Sequence, residues 1–424
     1  MKDFNFQKHG DKLLFALALA VLAALLFRSL GKAANHAAAP GIVFTQSWQN
    51  DPEKQGVGSG SLQDLVKEFE SLHGNIKVVL NERSYEDLRL ELFNTAYADK
   101  KGVLPGDILM LDQLWVPELF DRGIIEEQRE PLLSFINVFY YNIDILKKAG
   151  FTRPPKSRSE FLACARALNV FALTLGLNSS RGIYDDVFPW IWSAGVQLTR
   201  DGKPSVTARP LIESLGFLAS LNSEGLIVPG AFSADNEKKL EDFISGRAAF
   251  MIAPTRDIAL VRERLGDEAF GITVVPVPDN YTGKPFFAAE TWTTGVHSGS
   301  AQKEEAGLFA AFLAGKASLL SDKARAFPGT DVSPPAPVPS NLRFGAESGN
   351  SSVTGRSSPQ DVFYSKVRDI AISGEIAQDF TGLLWAELEG IFKEELSSLF
   401  EGKSSPSETA AAIQKKWEIA LEKK

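Results

Sequence analysis

The stretch Gly106–Ile125, GDILMLDQLWVPELFDRGII, carries the pattern that decides the fold. Its apolar run from Ile108 to Leu111 is typical of a fully buried strand. Asp112, Gln113 and Trp115 follow directly, and a short helix comes next, which Gly123 is predicted to end. In an open α/β sheet, ligands bind just beyond the carboxyl ends of the strands. A carboxylate, an amide and an indole at such a place predict contact with a small polar molecule that also has an apolar face.

The segments before this stretch alternate between strand and helix. Residues 41–44 are a short apolar strand, residues 62–72 have apolar side chains at helical spacing, and residues 76–80 alternate as a half-buried strand. Ser84 and Asp87 have the spacing of a capping box and open another helix. This order predicts a mostly parallel sheet flanked by helices.

The same pattern continues along the chain. A capping box at Ser157 and Glu160 opens a helix that follows the Pro154–Pro155 break. Residues 328–360 are rich in Pro, Ser and Gly, which predicts a loose connection. The predicted strands span 137–141, 248–252 and 271–277, and the predicted helices end at Gly150 or span 161–168, 211–221, 238–244, 303–313 and the C-terminal region.

The composition limits the possible functions. A chain of 424 residues exceeds one ordinary core, so two lobes are expected. The net charge of −8 disfavours nucleic acid, whose phosphates require basic patches. The single cysteine, Cys164, lies in an apolar helical context and is predicted to be a core residue. Of the four histidines, only His73 and His297 lie outside the first 40 residues, which is a poor supply of metal ligands. Neither a metal site nor a cofactor is predicted.

The first 40 residues predict export. Lys2, Lys8 and Lys12 precede an apolar run from Leu13 to Phe27, which is the pattern of a secretory signal or an uncleaved signal-anchor. No cysteine lies directly after the run, so lipid attachment at that point is not expected. The expected location is the periplasm or the outer face of the inner membrane.

Several segments in order resemble the extracellular solute-binding proteins of sugar ABC transporters, the group that includes maltodextrin-binding protein. The segments are LQDLVKEFESLHG, NIKVVL, PGDILMLDQLWVPELFDRGII, FYYNIDILKKAGFTRPPKSRSEFLACARAL, GRAAFMIAP and EEAGLFAAFLAG. The resemblance covers nearly the whole chain after the leader. It implies an α/β fold of the periplasmic-binding-protein type II, with two lobes joined by a multi-crossing hinge.

The resemblance also implies an organisation and partners. After the leader (1–40), lobe 1 would comprise residues 41–134 and 297–343, and lobe 2 residues 135–296 and 344–424. Such proteins are monomers that close on a sugar by hinge motion and then dock on permease subunits in the inner membrane. They are not enzymes.

Sugars present hydroxyl groups and apolar C–H faces, so carboxylates, amides and flat aromatic rings are the side chains expected around them. The resemblance and this chemistry together give the predicted ligand-binding residues. They are Trp48, Gln49, Asp51, Asp112, Gln113, Trp115, Tyr184, Asp186, Phe188, Trp190, Arg256, Glu290 and Trp292. At least half of the segment from Tyr184 to Trp192 is expected to be core, with Trp192 foremost.

Three alternatives remain open from the sequence. The same fold could bind a non-sugar anion or another metabolite. Asp112 and Glu290 could serve as the two acids of a carbohydrate-cleaving enzyme, which requires a fixed separation between them. The chain could also be an interaction protein with a vestigial cleft. Only EEQREPLLSFIN separates the turn at Ile125 from the next predicted strand, where the resemblance implies some tens of residues that form part of the cleft wall.

Overall fold

The computed structural model describes residues 41–47, 59–97, 105–126, 130–324, 327–328, 362–377 and 385–422. The strands are β1 (Gly41–Gln46), β2 (Lys77–Glu82), β3 (Ile108–Asp112), β4 (Leu133–Asn142), β5 (Phe171–Leu173), β6 (Thr199–Arg200), β7 (Lys203–Pro204), β8 (Ala248–Pro254), β9 (Phe270–Thr273), β10 (Phe286–Phe287), β11 (Ala289–Val296), β12 (Phe327–Pro328) and β13 (Glu375–Ile376).

The helices are α1 (Ser59–Leu72), α2 (Tyr85–Tyr97), α3 (Val116–Asp121), α4 (Ile143–Lys148), α5 (Arg158–Ala167), α6 (Gly182–Asp186), α7 (Phe188–Trp192), α8 (Arg209–Ser223), α9 (Asn236–Ile244), α10 (Ile258–Leu265), α11 (Lys303–Gly315), α12 (Ala317–Ala324), α13 (Val362–Ile372), α14 (Trp385–Phe400) and α15 (Pro406–Glu422). A 3-10 turn, Thr255–Asp257, connects β8 to α10. Within these described residues, no helix combines the length and the apolarity that crossing a bilayer would require.

The predicted local signals are found in the structure. The run after Gly106 is strand β3, all of it buried, and Gly123 ends the segment after α3 with a φ of +66°. Ser84 Oγ accepts a hydrogen bond from the backbone N–H of Asp87 at 3.1 Å, so this predicted cap is confirmed. Ser157 caps α5 in the same way through the N–H of Glu160.

One predicted strand is shorter than its pattern indicated. The expected strand 271–277 is β9, which ends at Thr273. Pro276 and Pro278 lie in the following segment, and proline has no N–H to donate to a neighbouring strand. Strand β4, by contrast, begins at Leu133, four residues before the predicted start.

The central sheet has the order β2-β1-β3-β11-β4-β8-β5, with β9 and β12 paired to β4. Strands β1, β2 and β3 are parallel, β11 is antiparallel to β3 and to β4, and β8 is antiparallel to β4. The first strand group comprises β1, β2 and β3, and the second comprises β5, β8 and β9. The long antiparallel pair β4 and β11 joins the two groups. The fold belongs to the predicted α/β class, with a mixed central sheet.

The pair β4 and β11 changes partners along its length. The first part of β4, from Leu133 to Ile136, pairs with β11, whereas the part from Asn137 onward pairs with β8 and β9. Strand β11 pairs with β3 from Trp292 onward. The two strands therefore cross from one strand group to the other, and the point of crossing lies between residues 133 and 137 of β4.

Apolar side chains pack around both strand groups, and Leu109 and Leu111 of β3 belong to the same buried cluster as Phe139 and Phe250. Around the first, Phe309 of α11 packs edge-on against Phe44 of β1, with ring centroids 5.5 Å apart. Around the second, Phe250 of β8 stacks on Phe139 of β4 at 5.0 Å. Cys164 is 1% exposed within this second core, which confirms the prediction that it is a core residue.

Candidate ligand-binding site

The carboxyl ends of the two strand groups face each other across the crossing strands. Strand β3 ends at Asp112, which lies level with Trp292 and, one strand further, with Leu133. Strand β8 runs in the opposite direction and ends at Pro254, level with Asn137. The step along β4 from Leu133 to Asn137 spans about 13 Å at the usual rise of a strand. The segments that follow β3 and β8 therefore meet from opposite sides.

Asp112 is fully buried at this meeting point. Its Oδ1 accepts the backbone N–H of Leu114 at 2.9 Å, and its Oδ2 accepts the Tyr85 hydroxyl at 2.8 Å. The guanidinium of Arg181 also binds Oδ2. Burial raises the pKa of the Asp112 carboxyl, and Arg181 opposes that shift. Burial, followed by the charge of Asp112, raises the pKa of Tyr85 well above its usual value, so this phenol is a hydrogen-bond donor.

Arg181 connects the two strand groups. Besides Asp112 it contacts Asp185 of α6, with Nη2 3.1 Å from Oδ1, and it donates to the backbone carbonyl of Ala289 at 2.9 Å. Burial disfavours its charge, but Asp112 and Asp185 outweigh burial and raise the pKa of Arg181 well above its usual value. A second contact runs beside it, because the Ser180 hydroxyl donates to Glu86 of α2 at 2.6 Å.

Sequence reasoning missed Arg181 and Tyr85. Arg181 follows a polar loop, NSSRG, in which nothing distinguishes a buried arginine from a solvated one. Tyr85 was expected only as part of a helix start. The signal that could have identified both is the burial of Asp112, since a buried carboxylate requires a cation and hydroxyl or N–H donors nearby.

The predicted ligand-binding residues Glu290, Trp292 and Arg256 contact one another in the structure. Trp292 donates its indole N–H to Glu290 Oε1 at 2.8 Å, and Arg256 Nε donates to Oε2 at 3.0 Å. Arg256 also lies 3.5 Å from Asp257. Glu290 and Trp292 are buried, whereas the Arg256 side chain is 43% exposed. Arg256 is therefore the charged group of this cluster that solvent reaches most readily.

Buried oxygen atoms without a hydrogen-bond partner concentrate where the strands end. Within the described part of the chain they include two at the end of β1, one after β3, one on β4 at the crossing point and one after β8. These atoms are Gln46 Oε1, Ser47 Oγ, Gln113 Oε1, Asn137 Oδ1 and Thr255 Oγ1. Buried polar atoms in native proteins are nearly always paired, so this concentration indicates a place that another molecule or water fills.

Four of the predicted aromatic residues lie in packed apolar surroundings. Trp115 is 1% exposed and packs against Tyr85 at 4.8 Å. Trp190 lies between Phe139 and Phe161 in the second core, with centroids 5.6 and 5.2 Å away. The structure does not bring Trp190 to the polar cluster, because its indole is enclosed by other rings.

Tyr184 and Phe188 belong to the same second core. Tyr184 packs edge-on against Trp192 at 5.0 Å, and Phe188 packs against Phe392 of α14 at 4.9 Å. Trp192 itself is fully buried, as expected. The guanidinium of Arg181 lies 4.8 Å from the Tyr184 ring, which connects this aromatic group to the charged cluster.

The remaining predicted residues have different placements. Asp186 is fully buried and accepts from Lys239 Nζ at 2.7 Å and from the Gly176 N–H at 2.6 Å, so its oxygens are used inside the protein. Trp48, Gln49 and Asp51 lie outside the described residues. No group of three or more His, Cys, Asp or Glu side chains suited to a metal ion is found among the residues described.

Comparison with known proteins begins with sequence. The family model described as bacterial extracellular solute-binding protein matches residues 55–318. A protein of Brucella abortus (strain 2308) that carries the name of a binding protein is 27% identical over 152 residues, which is 34% of this chain and 37% of that protein. The "Probable ABC transporter-binding protein" of Deinococcus radiodurans is 26% identical over 281 residues, 57% of this chain and 66% of that protein. The matches therefore span about a third to two thirds of these relatives.

Solved structures show the same fold. The GacH receptor of Streptomyces glaucescens, studied unliganded and with acarbose, has a TM-score of 0.69 at 16% identity and covers 91% of this chain and 99% of its own. Maltose-bound MalE3 of T. maritima has a TM-score of 0.65 at 18% identity, with coverages of 90% and 100%. Lmo0181 of Listeria monocytogenes, in complex with cycloalternan, has a TM-score of 0.66 at 14% identity, with coverages of 90% and 99%. Together with the family match over residues 55–318, the strand-end geometry leads to one conclusion: this chain belongs to the bacterial extracellular solute-binding protein family.

Proposed function

We propose that the chain is an exported, non-enzymatic binding protein that captures a sugar or oligosaccharide and delivers it to the permease subunits of an ABC importer. Residues 41–134 and 297–343 form lobe 1 of the proposed molecule, and residues 135–296 and 344–424 form lobe 2. The proposed cleft lies where the carboxyl ends of β3 and β8 face each other. The leader, residues 1–40, directs the protein to the periplasm or the outer face of the inner membrane.

The observation that carries this proposal is the set of unpartnered buried oxygens at the strand ends. Leaving one buried acceptor unpaired costs about 1–3 kcal/mol, so several at one place are costly unless a ligand or water pairs with them. A sugar supplies hydroxyl donors to the amide oxygens of Gln113 and Asn137. A micromolar affinity corresponds to about −8 kcal/mol, which several such hydrogen bonds and one ring contact can provide.

The crossing strands explain how capture is coupled to closure. Because β4 and β11 are the strands that pair within both groups, bending near residues 133–137 changes the distance between Asp112 and Thr255. A ligand that contacts both sides binds the closed arrangement more tightly and shifts the population toward it. Hinged closure of this kind is the motion that an importer can recognise.

The hydrogen bonds of the two acids favour binding over cleavage. Both oxygens of Asp112 accept donors, from Leu114 on one side and from Tyr85 and Arg181 on the other. Both oxygens of Glu290 are also taken, by Trp292 and Arg256. A general acid presents a protonated carboxyl group to the scissile bond, whereas each of these carboxylates is already paired with an arginine of the protein.

One observation favours a different function. The place where the segments that follow β3 and β8 meet is called the junction. Arg181 lies there between Asp112 and Asp185, so a side chain of the protein occupies part of the junction. An interaction protein with a vestigial cleft would have such a plug. The two functions differ in what the unpartnered oxygens do, because a vestigial cleft leaves them to water alone.

The test is calorimetry and thermal unfolding of the protein without its leader against a panel of neutral, acidic and amino saccharides. At least one should bind and raise the unfolding midpoint, because a ligand that binds only the folded state stabilises it. Replacing Glu290 with Gln should weaken that binding, whereas Glu213→Gln on the exposed face of α8 should leave it unchanged. A panel without any binder would refute the proposal and support the vestigial cleft.

A further inference from the structure

The charged groups at the junction do not balance. Arg181 is shared between Asp112 and Asp185, and Arg256 is shared between Asp257 and Glu290. Each arginine thus faces two carboxylates. The neighbouring pair of Lys239 and Asp186 is neutral in itself. Among the described side chains of this cluster, five carboxylates therefore share three cations, which leaves an excess of two negative charges.

The groups at the junction interact as one electrostatic system. The carboxyl group of Asp112 interacts electrostatically with Glu290 as well as with Arg181. That of Asp257 interacts with Glu290 and Asp185 as well as with Arg256. The side chains of Asp112, Asp185 and Glu290 are at most 6% exposed, so water screens their surplus charge weakly. A cation placed here is attracted by the whole cluster rather than by one residue.

The junction also has buried acceptor oxygens that lack hydrogen-bond donors. Asn137 is 2% exposed, and its Nδ2 donates to Asp185 Oδ1 at 2.9 Å, which fixes the orientation of the amide. Its Oδ1 is left as an acceptor without a donor. Thr255, 6% exposed and adjacent to Arg256, also has an unpartnered oxygen. Asn137 lies on β4 and Thr255 in the 3-10 turn after β8, and the shortage of donors at these two side chains is an observation separate from the charge count.

We propose that the ligand of this site is a saccharide that carries a protonated amino group, bound with its ammonium among Asp185, Glu290 and the Asn137 Oδ1 atom. This inference rests on the proposed function and specifies its substrate class. An ammonium supplies three donors and no acceptor, which matches both the surplus charge and the unpartnered oxygens. A uronic acid or a sugar phosphate would add negative charge where it is already in excess.

The test compares two oligosaccharides that differ only in charge, namely β-1,4-linked glucosamine oligomers and their N-acetylated counterparts of equal length. Calorimetry is carried out at about pH 6, below the ordinary pKa of an amine. The glucosamine oligomer should bind at least about tenfold more tightly than the N-acetylated one. Equal or weaker binding of the glucosamine oligomer overturns the inference.

Two further measurements separate this inference from the proposed function. If a neutral saccharide from the wider panel binds better than any amino saccharide, the inference is wrong while sugar capture stands. If no saccharide of any charge binds, the proposed function itself is wrong. Tight binding of an oligouronate would also overturn the inference, because it requires a cationic site.

Variants link the preference to the cluster. Glu290→Gln should reduce the ratio of the two affinities toward one, whereas Glu213→Gln should leave the ratio unchanged. If Glu290→Gln does not fold, the wild-type protein provides the second readout. Its preference for the glucosamine oligomer should be lost when the pH is raised from about 6 to about 9, since the amine then gives up its proton and its charge. A preference that persists unchanged at about pH 9 contradicts the binding of an ammonium group.

Discussion

Replacing Arg181 with Met tests whether the buried ion network holds the two strand groups together. Arg181 joins Asp112 at the end of β3 to Asp185 of α6, and its side chain is 4% exposed. Methionine fills a similar length without charge. The substitution leaves both carboxylates buried and removes the cation that they share.

The expected loss of stability depends on the hydrogen bonds that Asp112 and Asp185 keep after the substitution. Removing one partner of a buried ion pair typically costs about 3–5 kcal/mol. Asp112 keeps the Tyr85 hydroxyl and the Leu114 N–H, and Asp185 keeps the Asn137 amide. The cost should therefore lie at the lower end, about 3 kcal/mol, which corresponds to a fall of about 6–12 °C in the unfolding midpoint for a lobe of ordinary size.

The assay is thermal and urea unfolding, with Arg209→Met as the matched control. Arg209 pairs with Glu213 on the surface of α8 and is 89% exposed, so its replacement should leave the midpoint unchanged. A double-mutant cycle of Arg181→Met with Asp112→Asn should show a clear coupling energy. If Arg181→Met behaves like the control, the junction is held by something else and the reasoning fails.

Three other predictions concern the interior. Burial raises the pKa of Glu389 to about 8, so the folded state holds a proton that the unfolded state releases above about pH 4.5; stability should fall by up to about 4 kcal/mol between pH 5 and 8, and Glu389→Gln should remove that fall in thermal unfolding. Burial raises the pKa of the Cys164 thiol to about 11, so Ellman's reagent should react only after unfolding, and reaction with native protein would contradict this core placement. A Cβ at Gly182 would lie 2.7 Å from Leu177 Cα; Gly182→Ala should therefore cost about 1–3 kcal/mol and Gly315→Ala, which has open space, should not, a contrast that urea unfolding measures.

The strands and helices of this fold were predictable because their signals are local. Each of these signals depends on a few consecutive residues: the apolar run of β3, the caps at Ser84 and Ser157, and the helix stop at Gly123. Where prediction was imprecise, tertiary pairing decided. Strand β4 extends back to Leu133 because β11 pairs with it there, which no local pattern of β4 reveals.

The site was predictable only in part. Asp112, Glu290, Trp292 and Arg256 were proposed because they follow strands or lie on a crossing strand, and the structure brings them to one place in the candidate site. Trp190 was also proposed, but sequence spacing does not tell a ring that faces a cleft from one packed among Phe139 and Phe161.

Arg181 was missed for the opposite reason. Its role depends on Asp112 and Ala289, which lie 69 and 108 residues away in sequence. Such a contact arises only after the strand groups have been placed. The same holds for the unpartnered oxygens, because an atom is known to lack a partner only when all of its neighbours are known.

The most direct measurement is a crystal structure of the protein with the saccharide that binds most tightly. The account predicts a sugar between the ends of β3 and β8, with its donors on Gln113 Oε1 and Asn137 Oδ1 and with contacts to Glu290 and Arg256. A saccharide bound elsewhere, or a junction filled by water alone in the presence of saturating saccharide, would contradict it.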